Sequence, residues 1–204
     1  MEVAECVVKR KSIRYFRKKE IEEKLLCEIL NAGVAAPSPK NIQPWRFKVV
    51  RKGLEKNRVL KSLSFSLEIA KKEWDNKGII RKDIEEAFES VRIMQMADIL
   101  IFVFLQIDKN DDKNDGVQWD LMATEKEATY IQAIGACIEN MLLRATSLGI
   151  GSLWLCDFLY GYNSIIEEIK IELPLMGIVA LGYPDKIEEK IPKKERVDLN
   201  RLII

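Results

Sequence analysis

The chain has 204 residues, of which 48% are hydrophobic and 32% charged, and its net charge is +1. That length suits a single domain with a substantial core, and the near-neutral charge offers no broad footprint for nucleic acid. Histidine is absent, which excludes a Ser-His-Asp triad, a Cys-His pair and any His-based metal site. Acid–base work must then come from carboxylates, lysine, tyrosine, cysteine, water or a cofactor.

At the N-terminus, Met1-Glu2-Val3-Ala4-Glu5 has no basic n-region and no long apolar run, so no signal peptide is expected. Cys6, Cys27, Cys137 and Cys156 are far apart with no CxxC pair. Buried free thiols and a reducing, cytoplasmic setting follow as expectations. The most apolar window, Ile99 to Leu105, is too short to span a bilayer, so no membrane partner is expected.

Arg10-Lys11-Ser12-Ile13-Arg14 is a basic cluster with one hydroxyl. In an extended or turning segment, Arg10, Ser12 and Arg14 can face one side. Two guanidinium forks and a hydroxyl match a phosphate monoester; a plain surface basic cluster is the other reading. Ile21, Leu25, Leu26, Ile29 and Leu30 recur at helical spacing, predicting an amphipathic helix that ends near Gly33 to Ala36, before Pro37. Pro37, Pro39 and Pro44 then stiffen a turn that presents Ser38, Asn41 and Gln43. Amides held this way suit the polar edge of a flat heterocycle or a ribityl chain, or they cap neighbouring helices.

Trp45 to Arg51 alternates apolar with basic residues, a half-exposed strand pattern. Leu54 to Gln95 is charged and helical in character, interrupted around Asp75-Asn76-Lys77-Gly78; it reads as a mobile cap or as ordinary surface helices. Asp98 to Ile107 predicts a strand buried on both faces. The Asp/Asn-rich run Asp108 to Gly116 resembles a calcium loop, but its ligand spacing is wrong and its lysines oppose the charge. A polar loop and no metal are expected.

From about Ala123 to Leu148 the sequence predicts the longest helix, with a stripe of Ile131, Ile134, Ile138, Met141, Leu142 and Ala145. Ala133, Gly135, Ala136 and Cys137 keep much of its other side small, so it is either central or packed on a partner subunit. Gly149-Ile150-Gly151-Ser152-Leu153-Trp154-Leu155-Cys156-Asp157 follows. Its glycines end the helix and permit close backbone approach to a planar ligand. Met176 to Gly182 predicts another buried strand, and a polar tail closes on Leu202-Ile203-Ile204. The whole reads as one α+β domain, residues 1–204.

Several of these segments, in this order, resemble the FMN-dependent nitroreductase family. Arg10 to Arg14 resembles its N-terminal phosphate motif, and Ala36 to Trp45 its Ala-Pro-Ser-x-x-Asn-x-Gln-Pro-Trp signature. Gly149 to Trp154 is similar to its Gly-Leu-Gly-Ser/Thr segment, Leu181-Gly182-Tyr183-Pro184 to its strand end, and Lys194-Glu195-Arg196 to its closing basic pair. The resemblance implies a nitroreductase-like fold: a central, mostly antiparallel sheet flanked by helices in an intertwined homodimer. By the same resemblance, Arg10, Lys11, Ser12, Arg14, Lys194 and Arg196 hold the FMN phosphate. Ser38, Asn41 and Gln43 shape the ribityl and ring site, with Pro37 and Ser38 reaching across from the second subunit. The backbone of Gly151 and of Leu153, Trp154, Leu155 and Cys156 lies along the flavin. No side chain is nominated as an obligatory acid or base.

Pro39 departs from the family's second small residue, and Cys156-Asp157 replaces a Glu-Gly found in some members. The 54–95 segment contains no tyrosine and lacks the Glu-Tyr-Lys pattern of the deiodinase branch, which argues against a halotyrosine substrate. The implied activity is transfer of hydride from NADH or NADPH, through flavin N5, to a flat electron-poor acceptor such as a nitroarene, quinone or enone. With a single slot above the flavin the kinetics are expected to be ping-pong. A flavin-binding carrier or sensor without turnover is the alternative.

Overall fold

Ile99–Leu105 is apolar at every position, and the strand it forms, β2, is buried throughout, as a strand covered on both faces requires. The computed structural model describes residues 1–79, 82–106, 119–191 and 196–197. Three further strands join β2: β1 (Trp45–Arg51), β3 (Gly151–Leu155) and β4 (Leu175–Gly182). They form a four-stranded sheet of order β1-β2-β4-β3, antiparallel at every pairing. Edge position explains why β1 keeps Arg46, Lys48 and Arg51 among its apolar residues.

Period-two alternation divides the sheet's side chains between two core layers. Leu100, Phe102 and Phe104 of β2, with Ile178 and Ala180 of β4, face one layer. Ile99, Ile101 and Val103, with Val179 and Leu181, face the other. The first layer is closed by helices α3 (Leu54–Asn76), α4 (Lys82–Met96) and α6 (Tyr162–Ile169). The second is closed by α2 (Glu23–Val34) and α5 (Trp119–Ser147). A short helix α1 (Val3–Lys9) lies along α5, and a single turn, α7 (Lys186–Glu189), follows β4. The architecture is α+β, as expected.

The 54–95 segment is a core layer. Val59, Leu63 and Leu67 of α3 and Ile84, Ala87, Ile93 and Met94 of α4 are almost fully buried against the sheet. Its charged residues lie on the opposite faces, the pattern of surface helices with one buried side. On the other side, α2 and α5 cross so closely that a Cβ at Gly33 would lie 2.8 Å from Met141 Cγ. Ile134, Ile138, Met141, Leu142 and Ala145 are buried as expected, but Ile131 is 48% exposed. It shares the stripe's direction, yet no described element covers it at that end.

Cys6 and Cys137 are buried, and burial pushes the Cys137 thiol up to about 12. Cys27 and Cys156 are exposed, contrary to the expectation of burial, because Cys27 falls on the outward side of α2 and Cys156 in the connection after β3. Two buried charges act structurally. Asp98 accepts the Ile21 N–H at 2.7 Å and pairs with Arg51 at 3.8 Å. Lys56, 2% exposed, donates to the Gln95 and Ala97 carbonyls at the end of α4, where the helix dipole favours a cation. The Asp108 to Gly116 run and the Leu202-Ile203-Ile204 tip lie outside the described residues.

Candidate functional site

The segment after α1 runs along the outer edge of β3. Ser12 pairs with Ser152 in parallel, and the Ile13 N–H donates to the Ser152 carbonyl at 3.0 Å. Further on, the Arg17 N–H donates to the Tyr183 carbonyl at 2.8 Å and the Asp185 N–H to that of Tyr15 at 2.9 Å. Ile13 and Phe16 are buried and pin this segment to the core, leaving Arg14 exposed between them.

Because the Ser152 carbonyl points outward, strand alternation turns the Trp154 N–H and C=O outward on the same edge. Among the described residues, no backbone group of another element bonds to them. Beside that edge lies a cleft of about 560 Å³. Arg14, Leu153, Trp154 and Leu155 form one wall, Glu85, Glu86, Glu89, Ser90 and Ile93 of α4 the other, and Asp157 contributes at its end. Trp154 is 39% exposed, and its ring turns to the α5 face of the sheet, over two glycines. A Cβ at Gly177 would lie 2.7 Å from its Nε1, and one at Gly135 3.9 Å from its Cη2.

Electrostatics tie the two walls together. Glu89 is held below the usual carboxylate range by its hydrogen bond from Arg92. Arg92 in turn lies 4.8 Å over the Tyr15 ring, joining α4 to the basic segment. Ser90, nearly buried, donates to Asp157. Burial, with the Asp157 charge, pushes the Cys156 thiol up, which disfavours a nucleophilic thiolate.

Of the sequence-predicted residues, Arg14, Leu153, Trp154 and Leu155 share this cleft, with Cys156 next in the chain. Arg10 instead faces α5, its Nε 3.6 Å from Glu139. Ser12 is engaged through its backbone. Lys11 turns the other way: with Gly151 and Ser152 it lines a hollow of about 160 Å³. Its Nζ is drawn to the Glu188 and Ile191 carbonyls at the end of α7, because an extended segment sends neighbouring side chains to opposite faces.

Pro37 and Ser38 line a third hollow, about 280 Å³, against Thr129, Gln132, Ala133 and Ala136 of α5. In that turn Ser38 Oγ accepts the Gln43 N–H at 3.0 Å, and Gln43 Nε2 donates to Asn41 Oδ1 at 3.3 Å. Lys40, Asn41 and Gln43 all have φ between 50° and 56°, a left-handed strain that a protein retains only where the surroundings impose it. Arg196 is exposed, and Lys194 lies outside the described residues. The α4 residues and Glu188 escape the sequence reading, and Asp157 enters it only as a departure from the family pattern. The spacing of Glu85, Glu86, Glu89, Ser90 and Ile93 along one helix side was the available signal.

A four-stranded antiparallel sheet between two helical layers, with a cleft along the free edge of its last strand, is a nitroreductase-like α+β fold. The Nitroreductase family model matches residues 7–183, and the chain belongs to that family. A Thermus thermophilus protein named NADH dehydrogenase is 30% identical over 202 residues, spanning 98% of this chain and 93% of the relative. Solved structures share the fold as well. A BluB-like flavoprotein from Clostridium difficile 630 has a TM-score of 0.79 at 23% identity, covering 100% of this chain and 98% of its own. The FMN-dependent nitroreductase NfnB from Mycobacterium smegmatis, in complex with NADPH, has a TM-score of 0.71 at 17% identity, covering 99% and 97%. No helix among the described residues is long and apolar enough to cross a membrane, and no group of three or more metal-ligating side chains occurs among them.

Proposed function

We propose that the protein is an FMN-dependent oxidoreductase that takes hydride from NADH or NADPH and reduces a flat, electron-poor acceptor such as a nitroarene, quinone or enone. The carrying observation is the outward N–H of Trp154 on the free edge of β3, beside a cleft that reaches Arg14. Membership of an oxidoreductase family supports the reading.

At the β3 edge and Arg14 the residues present fit FMN, whose phosphate would have to lie at the Arg14 end, away from the Glu85, Glu86, Glu89 and Asp157 carboxylates that share the cleft. A flat heterocycle offers ring acceptors to the outward N–H of an edge strand, and a phosphate monoester suits the Arg14 guanidinium, which donates within the chain to the Ser12 carbonyl at 3.3 Å. When bound, FMN would supply the hydride relay that no side chain here can perform. The chain's own contributions are position and field. The β3 edge would hold a fixed dipole toward charge that develops on the ring. Leu153 and Ile93 would exclude water beside it.

Assembly as a homodimer belongs to the same proposal. In one subunit Pro37 and Ser38 line the α5 hollow and not the β3 cleft, so their reaching a flavin site would require a second copy. Val3, Val7 and Val8 of α1, together with Ile131, are exposed and would be covered by that copy. One slot serving both donor and acceptor implies ping-pong turnover. Double-reciprocal plots at several acceptor concentrations should be parallel, and high acceptor should inhibit competitively against the nicotinamide. Intersecting lines would require a separate nicotinamide site and defeat the single-slot scheme.

A further inference from the structure

Glu188 is one of the few buried charged residues described, 2% exposed, and lies in the short helix α7. Its Oε1 accepts two consecutive peptide N–H groups, those of Arg14 and of Tyr15, the latter at 2.9 Å. Its Oε2 lies 3.9 Å from Lys11 Nζ, which also donates to the Glu188 carbonyl. A carboxylate is retained in such a place only when hydrogen bonds and a countercharge satisfy it, and here all three partners come from residues 11–15.

We infer that Glu188 is a positioning residue for the phosphate grip. The inference rests on the FMN reading above. Consecutive N–H groups directed at one oxygen fix the backbone at Arg14 and Tyr15, between the buried anchors Ile13 and Phe16. With both N–H groups and Lys11 committed to Glu188, the Arg14 guanidinium is the group of this segment left facing the cleft. Lys11 therefore clamps α7 to the segment, and Arg14 is the member that meets a phosphate. Folding α7 against residues 11–15 and setting the grip become one event. Neutralising Glu188 without removing its oxygen should leave the two N–H bonds in place, because both use Oε1.

The test compares FMN with riboflavin, which lacks the phosphate, by titrating flavin fluorescence with apo-protein. Glu188→Ala should weaken FMN binding by about tenfold or more, the scale of a lost charge-assisted hydrogen bond, while riboflavin affinity stays within about twofold. Glu188→Gln should recover most of the loss. In the flavin-free protein, hydrogen exchange at the Arg14 and Tyr15 amides should accelerate in Glu188→Ala and stay slow in Glu188→Gln. Equal losses for FMN and riboflavin would make the role generally structural and overturn the inference. Unchanged FMN affinity, or unchanged amide exchange, in Glu188→Ala would also overturn it. Wild-type protein that takes up no FMN would sink the cofactor reading itself.

Discussion

Replacing Gly177 by alanine tests how the Trp154 indole is seated between the sheet and α5. The new Cβ would stand 2.7 Å from Trp154 Nε1 and 3.1 Å from Ile138 Cδ1. Ordinary contact begins nearer 3.4 Å, so the indole must move by the better part of an ångström or the strand must give. Overpacking of this kind costs about 1–3 kcal/mol. Removing a strand glycine returns about 0.5–1 kcal/mol through the unfolded chain. The net expectation is a loss of about 1–2 kcal/mol, or roughly 2–8 °C in Tm for a chain of this size. The assay is thermal unfolding of Gly177→Ala in two backgrounds, wild type and Trp154→Leu. With the indole gone the clash with Nε1 disappears and only the milder 3.1 Å contact with Ile138 remains, so alanine should cost clearly less than in the wild-type background. An alanine that destabilises both backgrounds equally would refute the seating argument.

Arg14→Ala should weaken FMN binding by about 1.5–3 kcal/mol, read from equilibrium flavin release. Arg10→Ala should cost less, since Arg10 is already engaged with Glu139 at 3.6 Å; the reverse order would exchange their assigned roles. Burial lowers Lys56 from 10.5 to about 8, so between these values the native state has shed a proton that the unfolded chain keeps. Stability relative to Lys56→Met should therefore rise with pH across that window, by at most about 3 kcal/mol. A flat difference in denaturant titrations would remove the buried-charge argument. If the flavin site is shared between copies, dilution should release flavin in parallel with dissociation. A monomer with full flavin occupancy in sedimentation would contradict the shared site.

The elements that the sequence announced were those with long, unmixed patterns. β2 and β4 are continuous apolar runs, α2 carries a clean stripe, and the stripe of α5 from Ile134 to Ala145 is buried. β3 reads only as a glycine-marked backbone approach, because five residues give too short a pattern to announce a strand. α6 escaped notice because eight residues make barely two turns. The 54–95 segment reads as a cap or as ordinary surface helices because its charged faces outweigh the narrow stripe it buries. Arg14 and Leu153 to Leu155, legible as site residues in the sequence, share one cleft. Lys11 was grouped with Arg14, whereas Glu188 draws it to the opposite face. A partner 177 residues away in the chain leaves no local signature, and neither does the acidic wall that α4 brings opposite β3.

The central claim is that this chain holds FMN and uses it for turnover, and an anaerobic absorbance titration of the freshly purified protein tests it most directly. The expected result is a flavin spectrum that bleaches on addition of NADH or NADPH and recovers when a nitroarene or quinone is added. A colourless protein that takes up no added FMN would contradict the cofactor assignment. A yellow protein that neither nicotinamide can bleach would contradict the enzyme and leave a flavin carrier.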